Sequence, residues 1–151
     1  MNQIPHDILA GWTIVAIDDE PDSLLVAETI LRAYGALIYT ATNGADGLRL
    51  IRQMTPDFVI SDISMPAIDG WGLIDALQRD RALTEIPVIA LTAFDSARDR
   101  LRAFESGFYN YITKPLTVES FLQQLLNLLI DNPALNALLA QRHDHFRLSH
   151  A

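Results

Sequence analysis

Short apolar runs recur along this chain, most of them rich in β-branched residues, and a segment of helical spacing follows each. They are Trp12-Thr13-Ile14-Val15-Ala16-Ile17, the run from Leu37 to Ala41, Phe58-Val59-Ile60-Ser61-Asp62, Pro87-Val88-Ile89-Ala90-Leu91, and the run from Tyr109 to Ile112. A strand that is apolar at consecutive positions has to be covered on both faces, which excludes an antiparallel sheet with one wet face. Strands that alternate with helices join in parallel through crossovers. The expected class is therefore α/β, a parallel sheet sandwiched between helices.

The connecting segments carry their own start and stop signals. Pro21 suits the first position of a helix, and Leu24, Ala27, Leu31 and Tyr34 then recur at helical spacing until Gly35 offers a C-terminal cap. Helices are expected from about Ala45 to Met54, with Leu48 and Ile51 inward, and from about Trp71 to Arg79, burying Leu73, Ile74 and Leu77. Asp95-Ser96 reads as the cap of another helix, whose Ala97, Leu101, Phe104 and Phe108 share one face and whose stop is Gly107. A longer helix is expected from about Val118 to Ile130, with Phe121, Leu122, Leu125, Leu128 and Leu129 inward. Residues 1–11 read as a loose lead-in, 12–130 as one domain, and 131–151 as a tail. In that tail Asn132-Pro133 is a helix start, and Leu135, Leu138 and Leu139 could line a short amphipathic helix before a polar end.

Composition removes several function classes. Half of the residues are hydrophobic, which excludes a disordered chain. A formal net charge of -8 argues against a nucleic-acid partner, because phosphate contacts need clustered Lys and Arg. With no cysteine, disulfides, thiolate catalysis and cysteine-based zinc sites are out. No apolar run approaches the ~20 residues that span a bilayer, and the start lacks the basic and apolar regions of a secretion signal. A cytoplasmic protein with no membrane partner is the expectation. His6, His143, His145 and His150 sit towards the termini and read as solvated tail residues, and no glycine-rich fingerprint marks a nucleotide site.

The chemistry lies at the strand ends. The first run delivers Asp18-Asp19, the third ends in Asp62, the fourth leads into Thr92, and Lys114 follows the fifth. In a parallel sheet these ends share one edge, which is where ligands bind in open α/β folds. Carboxylates brought together repel, and the usual remedy is a hard divalent cation with oxygen ligands. Mg²⁺ fits best, because it keeps waters and binds through few carboxylates plus a phosphate. Asp62 is then read as a phosphate-accepting nucleophile that forms an acyl phosphate, with the Thr92 hydroxyl and Lys114 ammonium holding the phosphoryl oxygens.

The strings IVAIDDEP, VISDISMPAIDG, VIALTA and YITKP, in this order and spacing, resemble the response-regulator receiver domain of two-component signalling, from about Trp12 to Ile130. The resemblance implies a flavodoxin-like doubly wound five-stranded parallel sheet of order 2-1-3-4-5. It implies that Asp62 is the phosphoacceptor, that Asp19 and Asp62 ligate Mg²⁺ directly with the Ser64 backbone carbonyl, and that Asp18 acts through water. Thr92 and Lys114 match the switch hydroxyl and the phosphate-contacting lysine, Tyr111 matches the aromatic switch, and the Lys114-Pro115 bond is commonly cis in the family. The implied partners are a histidine kinase or histidine phosphotransfer protein and a downstream protein target. A homodimer through the face built from the helix near Ala97–Ser106, the strand near Tyr109–Ile112 and the last helix is consistent with the same reading. A receiver is not an enzyme acting on a separate substrate; it catalyses only its own phosphorylation and dephosphorylation. Two rivals are a receiver-like interaction module that is never phosphorylated and an aspartyl-phosphate phosphatase of the haloacid-dehalogenase type. The phosphatase class wants a second Asp two residues after the nucleophile, where this chain has Ser64.

Ser64 and Phe94 occupy positions near the phosphoryl group that vary among receivers. A bulky apolar Phe94 is expected to hinder an attacking water and lengthen the phosphoryl lifetime. Phe94→Glu should therefore lose its phosphoryl group faster than wild type in a time course of dephosphorylation followed by intact mass.

Overall fold

The computed structural model describes residues 4–63, 69–93 and 97–142. Ser64, Phe94, the Asp95-Ser96 cap and the tail histidines His143, His145 and His150 lie outside the described residues. The strands are β1 (Thr13–Ile17), β2 (Leu37–Ala41), β3 (Phe58–Asp62), β4 (Val88–Thr92) and β5 (Asn110–Thr113). The helices are α1 (Pro21–Ala33), α2 (Gly44–Met54), α3 (Gly70–Gln78), α4 (Ala97–Ser106), α5 (Phe121–Asp131) and α6 (Pro133–Arg142). The strands form one five-stranded sheet in the order β2-β1-β3-β4-β5, and each neighbouring pair is parallel. This is the doubly wound, flavodoxin-like arrangement expected above.

Because side chains alternate across a strand, each strand feeds two cores. Ile14, Ala16, Phe58, Ile60, Ile89, Leu91 and Ile112 point to the face covered by α1 and α5. Val15, Ile17, Val59, Val88 and Ala90 point to the face covered by α2, α3 and α4. Local chemistry sets the helix ends. The Asn43 side chain accepts from Asp46 N at 2.8 Å to start α2, and the Asp69 side chain accepts from Gly72 N at 2.9 Å to start α3. Gly35, at φ +101°, supplies the left-handed turn that closes α1. The helix expected from Val118 begins instead at Phe121. Thr117 Oγ1 accepts the Ser120 N–H at 3.2 Å, a local turn that competes with helix and leaves Val118 exposed.

The apolar stripe on α4 faces outward, against expectation. Leu101 is 59% and Phe104 50% exposed, and Ala103 is the buried residue of that helix. Asp99, Ala103 and Ser106 are the inward row at the same helical spacing, so the helix presents a small and polar face to the protein. Phe108, past the end of α4, does pack inside, edge-on to Trp71 at 5.7 Å.

Residues 4–11 and α6 are also more integrated than their composition suggests. Ile8 and Leu9 are fully buried, and Leu9 N donates to Tyr34 O at 2.9 Å, so residues 4–11 are not a loose lead-in. Asn132 caps α6 by accepting from Ala134 N and Leu135 N at 3.0 and 3.1 Å. Leu135 and Leu139 enter the core with α5 and the lead-in, and Leu138 packs against it. Arg142 closes the contact: its Nη1 lies 2.9 Å from Asp57 Oδ2, and its guanidinium lies 5.1 Å from the centre of the Trp12 ring. The same Asp57 Oδ2 accepts from Thr13 N at 2.8 Å. Thus α6 is stapled to the start of β1 and β3, at the sheet edge opposite Asp62.

Deleting the buried Leu139 side chain should expose this dependence. Leu139→Ala is expected to lower the unfolding free energy by about 2–5 kcal/mol, read from the urea midpoint at unchanged slope.

Candidate functional site

The site follows from the register of the parallel strands. Ile17 pairs with Ser61, Asp62 with Leu91, and Thr92 with Thr113, so the ends of β1, β3, β4 and β5 are nearly level. The ladder continues one step past the strands: Asp18 N donates to Ala41 O at 3.1 Å, Ile63 N to Leu91 O at 3.2 Å, and Lys114 N to Thr92 O at 2.8 Å. Backbone hydrogen bonding therefore fixes Asp18, Asp62, Thr92 and Lys114 before their side chains interact. Gly70 completes the rim. A Cβ there would lie 2.6 Å from both Asp62 O and Ile63 Cα, so only glycine lets α3 begin this close to the end of β3.

Carboxylate oxygens of Asp18, Asp19 and Asp62 all lie within 4.8 Å of one another. Asp18 is fully buried, Asp62 and Thr92 are nearly so, and Asp19 is exposed. Lys114 Nζ sits among the acids, 2.6 Å from Glu20 Oε1, 3.0 Å from Asp18 Oδ2 and 3.4 Å from Asp62 Oδ2. Burial works against the Lys114 charge, but the bonds to Glu20 and Asp18 and the fields of Asp18 and Asp62 outweigh it and hold the ammonium above its ordinary pKa. Glu20 answers in the opposite direction, its carboxyl held below the usual range by the Lys114 hydrogen bond and charge. Asp18 Oδ2, although beside the ammonium, is buried and receives no hydrogen bond. Oxygen donors from separate elements, one of them without a hydrogen bond, make the donor set of a hard divalent cation.

Tyr111 on β5 is half-buried, and its hydroxyl accepts from Arg100 Nη1 of α4 at 3.2 Å. Between it and Thr92 lies a cavity of about 10 Å³, also lined by Ile63, Asp99 and Ala103, which is far too small to take a phenol ring. The Lys114-Pro115 bond is cis. Of the residues singled out in the sequence, Asp18, Asp19 and Asp62 cluster within 4.8 Å, Lys114 contacts Asp18 and Asp62, and Thr92 and Tyr111 share the adjoining cavity. The Ser64 carbonyl falls outside the described residues. Glu20 and Arg100 are two residues of this rim that no sequence pattern singled out. The run Asp18-Asp19-Glu20-Pro21 carried the signal for Glu20, since a proline at the helix start holds Glu20 extended at the strand end that bears Asp18 and Asp19.

The family model described as the response regulator receiver domain matches residues 14–126. The chain belongs to this family. Among curated relatives, the receiver is 34% identical over 112 residues to Protein PilH of Pseudomonas aeruginosa, covering 74% of this chain and 93% of that one. It is 34% identical over 116 residues to the DNA-binding dual master transcriptional regulator RpaA of Synechocystis, covering 77% of this chain and 48% of that protein. The receiver thus spans about half the length of that longer relative. Among solved structures it is similar to the N-terminal domain of a response regulator receiver protein from Methanoculleus marisnigri, at a TM-score of 0.65 and 30% identity, covering 80% of this chain and 95% of that one. No helix among the described residues of the receiver is long and apolar enough to cross a membrane.

Across the described residues of this site, the carboxylates of Asp18, Asp19, Glu20 and Asp62 outnumber the Lys114 ammonium. Removing one exposed charge should relieve this. Asp19→Asn is expected to stabilise the metal-free protein by about 1 kcal/mol, the Coulomb energy of charges ~4 Å apart in water. The measurement is the urea midpoint in the presence of a chelator.

Proposed function

We propose that this receiver accepts a phosphoryl group on Asp62 from the phosphohistidine of a histidine kinase or phosphotransfer protein, and that the acyl phosphate switches a protein-binding face. The observation that carries the reading is the Lys114 ammonium, 3.4 Å from Asp62 Oδ2 in a pocket shared with Asp18 and Asp19. In the transfer an Asp62 carboxylate oxygen forms the new bond to phosphorus while the bond from phosphorus to the donor nitrogen breaks, its electron pair staying on the imidazole. Asp19 and Asp62 would hold Mg²⁺ directly and Asp18 through water. Bound there, the ion supplies charge neutralisation to a step in which two anions meet. Lys114 donates to a phosphoryl oxygen from its position beside Asp62, and the Thr92 hydroxyl, one strand over, serves a second oxygen. Nothing in this scheme turns over a separate substrate, so the protein is a phosphoacceptor, not an enzyme acting on another molecule.

The switch runs through the cavity beside Thr92. Drawing Thr92 towards a phosphoryl group enlarges the space into which Tyr111 can turn, at the cost of its bond to Arg100. The face built from α4, β5 and α5 responds. Exposed Leu101 and Phe104 on α4 give that face apolar contact area for a target or a second receiver.

Incubation with Mg²⁺ and acetyl phosphate should add the mass of one phosphoryl group. Asp62→Asn should abolish the gain, and a chelator should suppress it. Hydrolysis of the donor with no adduct would favour a phosphatase, and no reaction at all would favour an interaction module that is never phosphorylated.

A further inference from the structure

Glu20 makes the shortest contact to the Lys114 ammonium, 2.6 Å, against 3.0 Å for Asp18 and 3.4 Å for Asp62. An ammonium carries three N–H donors, and these carboxylates surround it. Two of those donors bond to Glu20 and Asp18, so a phosphoryl group on Asp62 competes with these partners for Lys114. Asp18 is the poorest candidate to move, because it is fully buried and its Oδ1 also accepts the Glu20 N–H at 2.9 Å. Asp62 is the residue being modified. Glu20 remains: its side chain is 62% exposed, so its carboxylate can turn into water without being desolvated or stranded. It also borders an open space of about 400 Å³ with Ser23, Lys114 and Pro115, which leaves room for that turn.

Resting on the reading of Asp62 as the acceptor, we propose that Glu20 is a positioning residue that acts through Lys114. In the unphosphorylated receiver it anchors the ammonium and competes with the incoming phosphoryl oxygens for it. Formation of the acyl phosphate exchanges the Glu20–Lys114 contact for a phosphoryl–Lys114 contact, and Glu20 passes to solvent. The strength of the Glu20 contact therefore sets part of the barrier to phosphorylation at Asp62.

The test compares wild type, Glu20→Gln and Glu20→Asp at saturating Mg²⁺, with acetyl phosphate as donor and adduct formation followed by intact mass. In that reaction Asp62 forms the new O–P bond and acetate leaves with the electron pair of the broken one. Gln removes the competing charge, whereas Asp keeps the charge but is one methylene too short to hold the 2.6 Å contact from the same backbone position. Both variants should form adduct roughly two- to fivefold faster than wild type, the factor an exposed ion pair is worth. Glu20→Asp reacting at the wild-type rate would overturn the inference, because simple repulsion of the anionic donor depends on charge and not on reach. A lower melting temperature with no gain in rate in either variant would assign Glu20 a structural role and overturn it too. If wild type gains mass that Asp62→Asn abolishes while all rates are equal, the acceptor reading stands and this one fails. No adduct on wild type would remove both.

Discussion

Parallel pairing with level strand ends is the constraint on which the rest of this protein depends. It puts the last residues of β1, β3, β4 and β5 at one edge and makes residues nearly a hundred positions apart into neighbours. The distance from Lys114 Nζ to Asp18 Oδ2 is 3.0 Å, and it is set by a backbone ladder that runs through the whole sheet. A one-residue slip in any pair would turn every side chain of that strand to the other face. The two-sided apolar core forbids this, because Ile14 and Val15, or Ile60 and Val59, belong to separate clusters on opposite sides.

That same edge concentrates charge in a place where charge is costly. Asp18 is fully buried and Asp62 nearly so, and a buried carboxylate is costly unless it is paired. Lys114 supplies part of that pairing, and the result is a basic group held charged by its neighbours. The balance is incomplete. A site with more negative than positive side chains, one of them with a buried oxygen that receives no hydrogen bond, has the donor set of a hard divalent cation.

The opposite edge is apolar and tightly held. Ile8, Leu9, Trp12, Leu135 and Leu139 form a continuous patch beneath the sheet, closed by the ion pair of Arg142 with Asp57. The division of labour is physical. The end of the sheet that gathers the carboxylates is polar, and the end that holds residues 8–12 and α6 is packed and distant from it. Between them, α4 is attached through small and polar residues and keeps Leu101 and Phe104 exposed, which makes it the element least committed to the core.

Much of this was legible in the amino-acid sequence. The five strands, the helix boundaries to within a few residues and the polar strand ends follow from short-range patterning, because hydrophobic period and capping chemistry act over a few residues. Asp18, Asp19, Asp62 and Lys114 could be assembled on paper because a parallel sheet has only one edge where its strands end. Tertiary structure alone decided which row of α4 faces inward. Ala97, Leu101 and Phe104 and the rival row Asp99, Ala103 and Ser106 share one period, and periodicity names a face without saying what it meets. It also decided that residues 8–9 and α6 dock, since a buried Leu9 or Leu139 needs a distant partner that no local pattern reveals. The same holds for Glu20 as the nearest partner of Lys114. Sequence says which residues can attract one another, but only the folded backbone says which of several carboxylates arrives first.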